Sequence, residues 1–271
     1  MKNVLFSAFL LYSVLQVLGK CPDDCKHRNF LYESFQCTPN CIGTDDCPTS
    51  YDCTSIYQHN DMCFYNGKYY KNDETIQDDT TWENCMGCSC TKDENNKTTF
   101  ICYYADCAAP FPIDESCVYK YKLGQCCFAG VICPPFTKCL LEGEVFYEEN
   151  GKFLHPKDNC TKCVCERNGC ANGVIQCQKQ YCRDLLFYQQ DIKKMCAPFY
   201  NNVLYDCCPS QWICPNNTVV DVHTHRHNDS LCLFGDKFLK KKEKIYIDHE
   251  IGNIVCECKL PPYATCSLLV N

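Results

Sequence analysis

The chain has 271 residues, a formal net charge of −7 and 31 cysteines. Cysteine at about one residue in nine marks a disulfide scaffold, and a reducing cytosol would not keep such a framework closed. The acidic balance argues against nucleic acid and anionic membrane surfaces as partners.

The first nineteen residues read as a signal peptide. Lys2 gives a short positive end, Val4 to Leu18 is mostly apolar, and Val17 and Gly19 suit cleavage after Gly19. The run is shorter than a bilayer span needs, and no later stretch is long and apolar enough to be one. The mature chain then begins near Lys20 and keeps every cysteine. An odd number cannot all pair within one chain, so one thiol is free or bridges to another molecule.

Residues 20–62 hold six cysteines: Cys21, Cys25, Cys37, Cys41, Cys47 and Cys53. Two C-x3-C pairs frame Lys26 to Gln36, and sequence cannot choose among the connectivities. The segment reads either as a separate six-cysteine mini-domain or as an extension of the next module. A rigid loop between close cysteines is also the usual device of a small protease inhibitor.

Residues 63–133 form a first full unit. Its cysteines are Cys63, Cys85, Cys88, Cys90, Cys102, Cys107, Cys117, Cys126, Cys127 and Cys133. Asn66-Gly67 is a turn pair with aromatics on both sides, which predicts a β-hairpin. Phe64, Tyr65, Tyr69 and Tyr70, taken as exposed, are the candidate binding residues, because aromatics carry interface energy well. The polar run T-K-D-E-N-N-K predicts an exposed turn, and T-T-F-I-C-Y-Y after it predicts a strand. A linker over 134–138, Pro-Pro-Phe-Thr-Lys, should be stiff.

Residues 139–214 repeat the plan with Cys139, Cys160, Cys163, Cys165, Cys177, Cys182, Cys196, Cys207, Cys208 and Cys214. The gaps are nearly the same, so one folding unit is used twice. Gly143 stands where Gly67 stands, and Phe146 where Tyr70 stands. Trp82 has no counterpart, Cys170 is additional, and a short helix is expected around Asp184–Met195. A looser linker covers 215–231. A truncated third copy covers 232–271: Cys232, Gly235, Phe238, Cys256 and Cys258 match the front of a unit, Asn253 replaces a cysteine, and the C-C-x5-C ending is missing. Cys266 and Cys170 are the candidates for the unpaired thiol.

The pattern C-x3-G, an aromatic, W-x2-C-x2-C-x-C, then C-x4-C and C-C-x5-C resembles the von Willebrand factor type C module. Cys63, Gly67, Trp82, Cys85, Cys88, Cys90, Cys102, Cys107, Cys117, Cys126, Cys127 and Cys133 carry it in unit one. Unit two carries it without the tryptophan, and the third copy carries its front half. The resemblance implies small disulfide-rich β modules in tandem, with short antiparallel strands and a minimal hydrophobic core. It also implies a secreted, extracellular protein. Chordin-like relatives use such modules to bind growth factors of the bone morphogenetic and transforming growth factor type; others use them for assembly.

Catalytic chemistry finds little support. The C-x2-C pairs at Cys85–Cys88 and Cys160–Cys163 lack the α/β setting of a redox centre, and the repeat favours bridges over zinc. His223, His225 and His227 read as a solvated run in a linker, and Lys240-Lys241-Lys242 as a solvated turn. No cofactor, catalytic residue or metal ligand is expected. Asn96, Asn216 and Asn228 stand in N-x-S/T sites open to glycosylation; Asn159 abuts the cysteine cluster and is set aside. The expected function is non-enzymatic binding of an extracellular protein, with a dimeric growth factor as the candidate ligand. Structural assembly, with disulfide-linked self-association through the odd cysteine, and protease inhibition by the N-terminal segment are the alternatives.

Overall fold

The structure, a computed structural model, describes residues 30–40, 47–76, 86–108, 114–168, 172–203, 206–215 and 231–269. The signal peptide, Trp82, Cys85, Cys170, the histidine run, Asn216 and Asn228 lie outside these residues.

Unit one begins with β3 (Cys63–Tyr65) and β4 (Lys68–Tyr70), after β1 (Thr38–Asn40) and β2 (Ser50–Asp52) in the segment before it. Asn66 and Gly67 both have positive φ, 48° and 72°, the backbone of a two-residue hairpin turn. The predicted strand is β6 (Thr98–Tyr104), paired antiparallel with β5 (Met86–Lys92). The polar run between them turns on Asp93, whose carboxylate accepts from the Asn95 and Lys97 amides at 2.8 Å each. β7 (Val118–Lys120) and β8 (Gly130–Ile132) end the unit.

Unit two repeats these elements. β9 (Lys138–Leu141) pairs with β10 (Glu144–Tyr147), and β11 (Lys152–His155), β12 (Asp158–Asn168) and β13 (Asn172–Lys179) form a three-stranded sheet. The expected helix forms as two short turns, α2 (Asp184–Phe187) and α3 (Gln189–Lys193), after α1 (Phe30–Ser34) near the start. Met195, at φ 57°, stops the second. β14 (Ala197–Tyr200) and β15 (Gln211–Ile213) close the unit.

Bridges follow one rule in both units. The first cysteine pairs with the fourth, Cys63–Cys90 and Cys139–Cys165, and the third with the fifth, Cys88–Cys102 and Cys163–Cys177. The sixth pairs with the ninth, Cys107–Cys127 and Cys182–Cys208, and the seventh with the tenth, Cys117–Cys133 and Cys196–Cys214. In unit two the second reaches the eighth, Cys160–Cys207. The adjacent cysteines Cys207 and Cys208 therefore staple different parts of the unit, Cys207 to β12 and Cys208 to the loop before α2.

The same rule extends to both flanks. Cys37–Cys53 closes β1 on β2 across 16 residues, as Cys117–Cys133 closes β7 on β8 across 16. Cys47, also bridged, stands six residues before Cys53, as Cys127 stands before Cys133. Residues 30–53 thus carry the back-half arrangement of a unit. Residues 231–268 carry the front-half arrangement: β16 (Leu231–Phe234), β17 (Lys237–Lys240), β18 (Lys244–His249), β19 (Gly252–Leu260) and β20 (Tyr263–Leu268). Cys232–Cys258 and Cys256–Cys266 repeat the first-to-fourth and third-to-fifth bridges. Cys266 is therefore not the unpaired thiol. The β19–β20 register sets it opposite Cys256 with the Cα atoms 4.0 Å apart. Asn253, at the second position, has no eighth cysteine to miss: both ends of that bridge are gone together.

The units share an interior. Buried Leu31, Tyr32, Phe35, Tyr51 and Tyr57 from the front of the chain pack with Phe64, Tyr65 and Phe100 of unit one, Leu185, Leu186, Ile192 and Trp212 of unit two, and Tyr263. Tyr32 lies between Tyr51 and Tyr263, with ring centroids 4.7 and 5.9 Å away. Phe35 stacks on Trp212 at 6.1 Å. Four stretches thus contribute to this cluster, and a second one packs Phe199 and Ile213 of unit two with Phe234, Leu239 and Ile254; apolar burial drives them together. Backbone bonds complete the join. The Tyr51 amide donates to the Pro261 carbonyl at 3.0 Å, and β20 runs parallel to β14 with Phe199 opposite Cys266.

The 134–138 linker is held by side chains as well as by its prolines. Arg167 donates to the Pro135 carbonyl at 3.0 Å and to the Thr137 hydroxyl at 2.8 Å. The Glu148 carboxylate accepts from the Thr137 amide at 3.0 Å and pairs with Arg167 at 3.3 Å. Burial works to raise the Glu148 carboxyl, but Thr137 and Arg167 together hold it below its ordinary value.

Candidate binding surfaces

The aromatic quartet at the first hairpin is not a docking surface. Phe64, Tyr65 and Tyr70 are 2%, 3% and 7% exposed. Tyr69 is half-buried, and its hydroxyl donates to the Ser55 carbonyl at 2.6 Å. The reason is tertiary. Phe100 packs edge-on against Tyr65 and Tyr70, and the Gln189 side chain of α3 donates to the Phe64 carbonyl at 2.8 Å. Nothing local to Cys63–Tyr70 reports that α2 and α3 will cover it.

The exposed apolar side of unit one lies on β6 instead. Ile101, Tyr103 and Tyr104 are 59%, 64% and 62% exposed. Strand alternation sends Phe100 inward and Ile101 and Tyr103 outward together, while Tyr104, opposite buried Met86, is exposed at the strand end on the other face. The Tyr103 ring lies over Gly87, its cross-strand partner; a Cβ there would come within 2.3 Å of the ring. Ile101 and Tyr103, exposed side by side on one face of a disulfide-pinned hairpin, are the kind of apolar patch that marks a protein contact. The alternation in T-T-F-I-C-Y-Y already carried the signal, since its outward positions are as apolar as its inward ones.

In unit two the matching hairpin is polar. Gln176, Gln178 and Lys179 replace Ile101, Tyr103 and Tyr104, and Lys162 replaces Gly87. Beside it opens a cleft of about 310 Å³ whose lining includes Lys162, Lys179, Tyr181, Arg183, Phe187 and Tyr188. Asp184 lies at its wall and receives the Trp212 indole N–H at 2.7 Å. Burial pushes the Asp184 carboxyl up to about 6, against the lowering effect of that bond.

Three groups of potential metal ligands come together among the described residues: Cys107 with Cys126 and Cys127, Cys182 with Asp184 and Cys208, and Asp191 with Cys196 and Cys214. Each cysteine in them is already in a disulfide, so none offers a thiolate. Lys193 is buried and burial lowers its amine to about 8. Its Nζ donates to the carbonyls of His59 and Met62 at 3.3 Å each and so ties residues 59–62 to α3. In the stretch that the C-x3-C pairs frame, Phe30–Ser34 forms α1 and Leu31, Tyr32 and Phe35 are buried. That stretch presents no inhibitory loop. Among the described glycosylation sites, Asn96 is exposed at the β5–β6 turn with φ 60°.

All twenty-six described cysteines are disulfide-bonded. The odd one therefore falls among Cys21, Cys25, Cys41, Cys85 and Cys170.

No helix among the described residues is long and apolar enough to cross a membrane. No family model matches the chain, and no solved structure matches it. The chain is similar to the mouse von Willebrand factor C and EGF domain-containing protein, at 26% identity over 152 residues. The match covers 52% of this chain and 15% of the mouse protein, which is a family-level similarity to a protein built with von Willebrand factor type C modules.

Proposed function

We propose that this is a secreted, non-enzymatic, cysteine-rich protein whose pinned β modules bind an extracellular protein through the face of unit one that carries Ile101 and Tyr103. The module plan, 63–133 and 139–214 with a back half before and a front half after, is part of this proposal. A dimeric growth factor of the bone morphogenetic or transforming growth factor type is the partner to test first, on the strength of the resemblance. The supporting observation is the exposed pair Ile101 and Tyr103 on one face of β6. A glycan on Asn96 would leave that pair free, since Asn96 sits at the opposite end of the hairpin from Tyr103 and Tyr104.

The test is surface binding of the oxidised, purified protein to a panel of such dimers. Binding abolished by reduction, and weakened about thirty-fold or more by Tyr103→Ala with unchanged melting, is expected; truncating a central interface aromatic often costs about 2 kcal/mol or more. Binding indifferent to Tyr103→Ala and Ile101→Ser would move the site elsewhere, and no binding to any dimer would remove this partner class.

A second reading rests on the odd cysteine. A thiol left over after twenty-six others have paired suits a disulfide-linked oligomer of a structural protein. A non-reducing gel separates the two, since a monomer removes the assembly role.

A further inference from the structure

We infer that the cleft of unit two binds a sulfated saccharide. The chain as a whole is acidic, at −7, yet three cations, Lys162, Lys179 and Arg183, converge on one cleft. None of the three makes a side-chain hydrogen bond or a salt bridge among the described residues. The acid at the cleft wall, Asp184, is turned inward to the Trp212 indole. The charge of Arg183 is partly offset by its neighbour Asp184, but Lys162 and Lys179 have no ion pair among the described residues, in a partly enclosed place where a fixed positive field attracts anions more strongly than on an open surface.

The remaining lining chooses among anions. Tyr181 and Phe187 are 49% and 46% exposed, and half-buried Tyr188 stands beside them. Flat aromatic faces suit the apolar faces of pyranose rings, and the Gln178 and Gln180 amides suit hydroxyls. The volume of about 310 Å³ lies at the small end of ligand-site sizes. It holds a sugar unit or two of a chain that continues outside. The comparison with unit one supports a built feature rather than a scaffold necessity. The same hairpin carries Gly87, Tyr103 and Tyr104 there, where unit two carries Lys162, Gln178 and Lys179.

The alternative basic surface is the turn around Lys240, Lys241 and Lys242. All three are exposed. Glu243 accepts from the Lys240 amide there, and Glu257 pairs with Lys244 at 3.7 Å. Two carboxylates, Glu243 and Glu257, thus stand beside this basic run, and none of its three lysines lines the cleft of unit two.

The experiment uses the full secreted protein with intact disulfides and a size-defined heparin oligosaccharide as probe, read by calorimetry or surface binding. Saturable binding that weakens with salt is expected. The double variant Lys179→Glu/Arg183→Glu should weaken it about ten-fold or more, because charge reversal turns attraction into repulsion at both positions. Tyr181→Ala should weaken it less, and Lys241→Glu/Lys242→Glu by no more than about two-fold. Melting curves confirm that these exposed or half-exposed changes leave the fold intact. Tyr103→Ala should leave heparin binding unchanged, so a failed growth-factor test does not bear on this one. No binding, binding lost only with the Lys241/Lys242 variant, or equal binding of desulfated heparin would overturn the inference. So would a sulfotyrosine peptide binding in the cleft where heparin does not.

Discussion

The indole N–H of Trp212 donates to the buried carboxylate of Asp184 at 2.7 Å, and the Trp212 ring packs into the core that unit two shares with unit one and the front of the chain. Asp184 is 5% exposed, and burial raises its carboxyl to about 6. An acid raised above its unfolded value of 3.8 holds its proton longer in the folded state. Stability therefore falls as pH rises from 3.8 toward 6 and stays lower above.

Replacing Asp184→Asn keeps the acceptor for Trp212 and removes the charge. Unfolding in denaturant at pH 7 should show a gain on the order of 1–2 kcal/mol, shrinking to nothing near pH 4. Asp184→Ala should instead lose about 1–3 kcal/mol, because the indole N–H is left unpaired. A pH-independent effect of Asp184→Asn would show that the carboxylate carries no burial penalty.

Gly67 and Gly143 hold the same place in two hairpins but not the same surroundings. Both have positive φ, 72° and 90°. A Cβ on Gly67 would meet the Gln36 amide at 2.2 Å, whereas one on Gly143 would meet nothing within 4 Å. Gln36 also bonds Asn66 through its side chain. Gly143→Ala should cost about 1 kcal/mol from backbone strain. Gly67→Ala should cost about 2 kcal/mol, because Gln36 must also move. Matched denaturation curves check the order, and equal losses would show that Gln36 yields freely.

Tyr32, Tyr57, Tyr200 and Tyr263 are buried, and burial raises all four phenols above the usual 10.0. The folded state then holds protons that the unfolded chain releases, so stability is present below about pH 10 and lost above it. Ultraviolet titration should show a block of phenols ionising only together with loss of near-ultraviolet circular dichroism. Reversible ionisation of every tyrosine before unfolding would contradict the shared core.

The repeat rule makes a bridge prediction for unit one. Cys126 is disulfide-bonded and holds the place of Cys207, which pairs with Cys160. Cys85 stands in the place of Cys160 in the sequence. Peptide mapping without reduction should recover Cys85 linked to Cys126. Alkylation of the unreduced, denatured protein should label none of the twenty-six bridged cysteines. A label on Cys266 would break the register argument that pairs it with Cys256.

Spacing alone determined the local plan. Cysteine gaps, the Asn66-Gly67 turn and the β-branched run at Thr98–Tyr104 act over a few residues, and each formed as its local chemistry required. The helix over 184–195 was legible for the same reason, though Tyr188 divides it. Burial was not legible. Phe64, Tyr65 and Tyr70 went inside because Phe100 and α3, far along the chain, close over them. Cys266 found Cys256 because a strand register, not a sequence gap, set them opposite. The cleft of Lys162, Lys179 and Arg183 exists only where β12, β13 and α2 meet. Local propensity fixes which elements form, while long-range packing decides which face of each element reaches water.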